Sequence, residues 1–218
     1  MQKELRSGLI VRIFMSNNLK YNIKKYQILK IIFLEILILS SIAVGRHFFY
    51  PDYLNILSGL VLGAIAYVCL YYIEKYTNKR ICYEKGLKLE SQVADKLNRL
   101  GIKNEQNIKA KYGDLDIFVD KNGVYYGFEV KNWSGVITFE NGSLVLNNFY
   151  NKNSILEKLL KNCKQIKENK FGKESNKFVR PVLVFGYKTC VQIPQNKINF
   201  NGVDIIVATI KNFQQFIN

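Results

Sequence analysis

The sequence predicts an α/β domain, a sheet core flanked by helices, preceded by an α-helical transmembrane hairpin. Three observations predict it. Two long apolar runs fill the first third of the chain, "IIFLEILILSSIAV" (31–44) and "YLNILSGLVLGAIAYVCLYYI" (53–73). Beyond them, stretches with apolar residues at helical spacing alternate with stretches patterned at period two. Asn-Gly pairs at 122–123 and 141–142 mark two β-hairpins. The 218 residues thus divide into a basic leader (1–27), the membrane hairpin (28–75) and a domain over 82–218.

A membrane-spanning helix needs about 20 mostly apolar residues. The second run meets this; the first, extendable from Ile28 to Tyr50, is interrupted by Glu35. The link "RHFFYPDY" carries Pro51 and suits a tight turn between antiparallel helices. A buried helical hairpin is the alternative. Lys24, Lys25 and Lys30 precede the first run, Lys75, Lys79 and Arg80 follow the second, and the link holds only Arg46. This bias puts both termini in the cytoplasm, with membrane lipid as the partner of 28–75 and a bacterial cell membrane as the setting. Glu35 is either a functional intramembrane carboxylate or a side chain that snorkels or pairs between helices. The leader is too long for a secretory signal.

Composition narrows the chemistry. The formal net charge of +15 favours an anionic partner, nucleic acid or a lipid surface. The four cysteines form no CxxC, which argues against a zinc site. The single histidine, His47, lies beside the apolar segment, so a histidine base or a Ser-His-Asp triad in the domain is excluded.

The domain opens on a helix, "YEKGLKLESQVADKLNRLG", with Leu89, Val93, Leu97 and Leu100 on one stripe and Gly101 as its stop. "KNEQNIKA" reads as a strand, followed by "YGDLDIFVDKNGVYYGFEVKNWSG" (112–135). With Asn122 and Gly123 as a two-residue turn, Lys121 pairs with Val124, Val119 with Tyr126, Ile117 with Phe128 and Leu115 with Val130. The opposite face then sets Asp116 against Glu129 and Asp114 against Lys131, at about 4.5 to 5.5 Å between Cβ atoms. Like charges facing each other destabilise a sheet unless a cation lies between them. Carboxylate oxygens suit Mg²⁺ (or Mn²⁺) rather than zinc. Lys131, two residues from Glu129, shares its face and could orient a water. The alternative is a solvated strand face with a local Glu–Lys balance.

"WSGVITFENGSLVLNN" reads as a second hairpin. A long helix follows in "NSILEKLLKNCKQIKENK", its stripe formed by Ile155, Leu156, Leu159, Leu160, Cys163 and Ile166. Lys158, Lys161, Lys164 and Lys167 line its other side, either as a phosphate-tracking surface or as a plain solvated face. "RPVLVFGY" and "GVDIIVATI" read as strands and "IKNFQQFI" as a closing helix.

"YGDLDIFV", a short hairpin and "GFEVKNWSG" together resemble the NERD (nuclease-related) domain, within the PD-(D/E)xK restriction-endonuclease-like superfamily. The resemblance covers about residues 82 to 170. It implies a restriction-endonuclease-like mixed sheet core and a metal-dependent phosphodiesterase site. Asp116 corresponds to the motif aspartate, Glu129 to the (D/E) and Lys131 to the lysine, while Glu90 resembles the family's helical glutamate. Asp116, Glu129 and the Val130 carbonyl are the implied metal ligands. The family's Asn-Pro-x-x-Gln is matched only by "NSILE" (153–157), without the proline or the glutamine. The expected function is a membrane-tethered, metal-dependent nuclease at the cytoplasmic face, with DNA the expected substrate. The alternatives are an inactive nucleic-acid-binding module and a membrane scaffold held on anionic lipid by its basic flanks.

Overall fold

The computed structural model describes residues 27–39, 41–42, 45, 53–148 and 150–217, without the side chains of 53–60, 62 and 66. The basic leader before residue 27 and most of the expected link, Pro51 included, lie outside these residues. The chain divides into two compact units between Glu84 and Lys85.

The N-terminal unit is helical. Helix α1 covers 27–39, and α2 (Tyr53–Arg99) begins here. Phe33 stacks on Tyr72 at 5.5 Å between ring centroids, and Cys69 is buried. Ile31, Ile38, Leu39, Val61, Val68 and Leu70 are exposed, as is Glu35. Among the described residues no helix is long and apolar enough to cross a membrane, so the expected pair of spans is not found there. Nor does a new helix begin near residue 81: α2 runs unbroken for 47 residues. The shift from apolar to polar composition after Ile73 invites a boundary. Yet 74–85 holds neither Gly nor Pro, so nothing interrupts the backbone hydrogen bonds, and Arg80 pairs with Glu84 one turn on at 3.1 Å.

In the second unit, β1 (Lys103–Ile108), β2 (Leu115–Lys121), β3 (Val124–Lys131), β4 (Gly135–Glu140), β5 (Ser143–Leu146), β6 (Tyr150–Asn151), α3 (Asn153–Phe171), β7 (Val179–Phe185), β8 (Thr189–Val191), β9 (Lys197–Phe200) and β10 (Val203–Thr209) follow in order. They form a six-stranded sheet, β1-β2-β3-β7-β10-β9, and a four-stranded sheet, β6-β5-β4-β8. The larger sheet is mixed: β3, β7 and β10 are parallel neighbours, and the flanking pairs are antiparallel.

Both faces of the central strands β2, β3 and β7 are buried. Ile117, Val119, Tyr126, Phe128 and Val130 pack with Leu89, Val93 and Leu97 of α2. On the other face Phe118 and Tyr125 pack with Leu156, Leu159, Cys163 and Ile166 of α3. Gly127 permits that approach, because a Cβ there would lie 2.6 Å from the Cys163 sulfur. A solvated strand face is thus excluded for this hairpin; α3 covers it.

Both Asn-Gly turns form. Asn122 and Gly123 have φ of 52° and 82°, as a type I′ turn demands, and Lys121 faces Val124. The ladder continues through Val119–Tyr126 to Ile117–Phe128 and stops. Leu115 therefore does not face Val130 or share a face with Ile117; it joins the core under α3. Nor is Asp116 paired with Glu129 in the ladder, and Asp114 does not reach the rung opposite Lys131.

At the end of α2, Gly101 takes a positive φ of 70° and Leu97 O accepts from Ile102 N. Leu100, expected on the stripe, lies beyond the last helical residue and is exposed. The expected closing helix is only a 3₁₀ turn, Phe213–Phe216. The Asn212 side chain accepts from Thr209 N at 2.8 Å, which favours a turn there over a helix.

Candidate functional site

The carboxyl end of β3 is where an antiparallel partner, a parallel partner and α3 converge. On one side the β2–β3 ladder ends at Ile117–Phe128. On the other, β7 continues in parallel register, Glu129 beside Leu183 and Lys131 beside Phe185. Gly186 N then donates to Lys131 O at 3.1 Å and ties down the strand end. Open α/β sheets bind ligands at the carboxyl ends of their strands.

Asp116 leaves the ladder and uses its side chain instead. Its Oδ2 accepts a hydrogen bond from Val130 N at 2.6 Å. The Glu129 side chain is 1% exposed. One of its oxygens, Oε1, accepts from Lys131 Nζ at 2.7 Å and from Lys158 Nζ at 3.2 Å. The other, Oε2, is buried without a partner. Lys131 Nζ also lies 3.3 Å from Val130 O.

The electrostatics follow from crowding. Burial pushes the Asp116 carboxyl up to about 8; Glu129 adds to the rise and Lys131 opposes it. Burial likewise raises Glu90 to about 7, opposed by Lys131 and reinforced by Glu129. Asp114 is raised by burial against the pull of Lys109 and Lys158. Burial lowers the Lys131 ammonium, but Asp116 and Glu129 more than reverse it, so its proton is held more tightly than usual. Three carboxyl groups, Glu90, Asp116 and Glu129, thus share two ammonium groups.

Among the described residues no three His, Cys, Asp or Glu side chains converge as a metal-holding group. What is present is two carboxylates, one of them with an unpartnered buried oxygen, and a main-chain carbonyl. That donor set fits Mg²⁺, which keeps several waters and takes one or two carboxylates, and does not fit zinc.

Asp116, Glu129 and Lys131 are brought together, and the charges of Glu129 and Lys131 are felt at Glu90 on α2. The lysines of α3 are dispersed. Lys158 turns to Glu129; Lys161 pairs with Glu157 at 3.8 Å and lies over the Tyr112 ring; Lys164 is exposed; Lys167 donates to Lys173 O at 2.8 Å. One neighbour, Asn162, escaped sequence reasoning, and Gln165, too far along α3 to stand for the family's glutamine, has another role. Asn162 is fully buried and approaches Asp114 O at 3.5 Å. Gln165 accepts from Lys111 N at 2.5 Å and holds the loop before Asp114. A polar residue inside the α3 apolar stripe, Asn162 between Leu159 and Cys163, was the available clue.

Residues 85–186 match the family model described as NERD, Nuclease-related domain. The match takes in Glu90, Asp116, Glu129, Lys131 and α3, and ends one residue past β7. No curated protein and no solved structure gives a match.

Proposed function

We propose that the chain, carrying a nuclease-related domain at 85–186, is a metal-dependent nuclease that hydrolyses phosphodiester bonds. The observation that carries this reading is Glu129. A carboxylate with one buried oxygen unpartnered, beside a second carboxylate, is costly unless something is bound there. Asp116, Glu129 and the Val130 carbonyl would hold Mg²⁺ (or Mn²⁺). When bound, such an ion supplies Lewis acidity toward a phosphate oxygen and lowers the pKa of water.

The chain's own residues do the rest. Val130 N fixes the Asp116 carboxylate. Lys131 orients Glu129 and is placed to position a water with its remaining N–H groups. Glu90, with its raised affinity for a proton, can hold or release one near neutral pH. Lys161 and Lys164 offer charge to a phosphate backbone without reading sequence. In this reading the substrate is DNA, in keeping with the superfamily resemblance; an RNA arm in the assay tests that choice.

Attachment to a membrane through residues 28–75 is the finer part of the proposal. Its support is the apolar surface left exposed along α1 and the first part of α2, Ile31, Ile38, Leu39, Val61, Val68 and Leu70 among them. The deciding experiment incubates the full-length chain in detergent with DNA and with RNA, with Mg²⁺, Mn²⁺ or chelator. Cleavage should need the metal, and cleavage surviving the Asp116→Ala/Glu129→Ala double variant sinks the assignment.

A second reading, a nucleic-acid-binding module that does not cut, is favoured by one observation. Glu157, at the place of the family's glutamine, is half-exposed and paired with Lys161 rather than turned to the carboxylates. It predicts salt-sensitive binding without cleavage.

A further inference from the structure

We infer that Lys158 is a built-in counter-ion of Glu129, a positioning residue that competes with a divalent cation for that carboxylate. The inference rests on the metal-dependent reading above and assigns Lys158 a role distinct from holding the nucleic-acid backbone.

Two independent features place Lys158 there. The first is the ion pair: its Nζ reaches Glu129 Oε1 at 3.2 Å, on the same oxygen that Lys131 already occupies at 2.7 Å. The second is the path of its side chain. Lys158 passes over Gly113, where a Cβ would lie 2.7 Å from its Cε. Gly113 also has φ of +114°, a conformation side chains rarely adopt, so glycine serves both the loop and the passage.

The two lysines are not equivalent. Lys131 is fixed by its strand, its carbonyl bonded by Gly186 N and its ammonium near Val130 O. Lys158 comes from another element, and its side chain is 36% exposed against 29% for Lys131. Its flexible four-carbon stem can carry the ammonium back to water without loss of packing around β3. An ion with two positive charges at Glu129 repels the nearby ammonium groups, and Lys158 is the one free to leave. The apparent metal affinity is then the intrinsic affinity reduced by the fraction of molecules in which Lys158 has withdrawn.

The test uses the full-length chain in detergent and Mn²⁺ alone as the probe. Free Mn²⁺ is followed by its electron paramagnetic resonance signal, and thermal unfolding is recorded in chelator. Lys158→Met should bind Mn²⁺ about two- to fivefold more tightly, the size expected for loss of one partly exposed like charge. It should also melt at lower temperature than wild type in chelator, while Lys158→Arg stays near wild type in both. Lys164→Met, the same charge change on the same helix away from Glu129, should leave the affinity unchanged. Wild type and Lys158→Met binding Mn²⁺ equally would overturn the inference and leave the metal reading intact. Equal tightening by Lys164→Met would also overturn it, as a net-charge effect. Binding by Lys158→Met alone supports it; binding by neither overturns it together with the metal reading.

Discussion

The Asp116 carboxylate accepts its hydrogen bond from the backbone N–H of Val130, one residue beyond Glu129, where the β2–β3 ladder has just ended. The side chain thus replaces a main-chain acceptor and fixes itself against the strand that carries Glu129 and Lys131. Asp116→Ala removes the acceptor and one proposed ligand together. Metal-dependent cleavage should fall by roughly 10²-fold or more, within the range for loss of a positioned catalytic group. Asp116→Asn keeps an acceptor for Val130 N, so it should lose cleavage comparably while unfolding no more readily than wild type. Cleavage rates and melting curves of the two variants check this.

Metal-free stability should fall as pH rises. An Asp116 carboxyl held at about 8 in the fold ionises near 3.8 when unfolded, and Glu90 goes from about 7 to 4.5. Between those values the folded chain binds more protons than the unfolded one, so the slope of unfolding free energy against pH is negative. The loss begins near pH 4 and is complete near pH 8. Melting temperatures in chelator should decline across that window, and Asp116→Asn should flatten the decline. A rising or flat wild-type curve contradicts the crowding described for this site.

The hairpin was legible because one constraint fixed it. Asn122-Gly123 sets the register, and Ile117–Phe128, Val119–Tyr126 and Lys121–Val124 follow from it. The same counting overshot at Asp116, Leu115 and Asp114, because turn chemistry says nothing of where a ladder ends. Period-two patterning also hid that both faces are covered. Phe118, Tyr125 and Gly127 read as the outer face until α3 is seen to pack on them. The position of Lys158 could not be read at all. It depends on how α3 lies across β3, a tertiary relationship with no local signature, and on a helix face the sequence presents as uniformly basic. The unbroken α2 escaped for the opposite reason, since a change of composition is not a change of backbone conformation.

Gly127 makes a sharp test of that α3 contact. A methyl group there would meet the Cys163 sulfur at 2.6 Å and Leu115 Cδ2 at 3.1 Å. Gly127→Ala should cost about 1–3 kcal/mol through overpacking. Cys163→Ala removes the sulfur, so the double variant should recover part of that loss, and the two effects should not add. Urea unfolding of the four proteins in the cycle measures it. Strict additivity would mean that α3 does not approach β3 here. Because β3 carries Glu129, Gly127→Ala should also weaken Mn²⁺ binding, and the double variant should restore it.

The proposed membrane attachment could take two modes, and the N-terminal unit separates them. Residues 28–42 and 61–71 leave Ile28, Ile38, Leu39, Ile42, Val61 and Tyr67 each more than half exposed to solvent. Apolar surface of that extent on paired helices is costly in water and is stabilised in lipid. The basic flanks alone would hold the chain on anionic lipid by charge, and that attraction fades within a Debye length as salt rises. In fractionated cells the chain should therefore stay with membranes through 1 M salt and alkaline carbonate and leave only with detergent. Release by salt would assign attachment to the basic flanks and remove the apolar helices from the account. Replacing Ile38, Leu39, Val61 and Val68 with serine should shift the chain toward the soluble fraction while leaving Mn²⁺ binding at Glu129 unchanged, since that site is built from residues after Lys85.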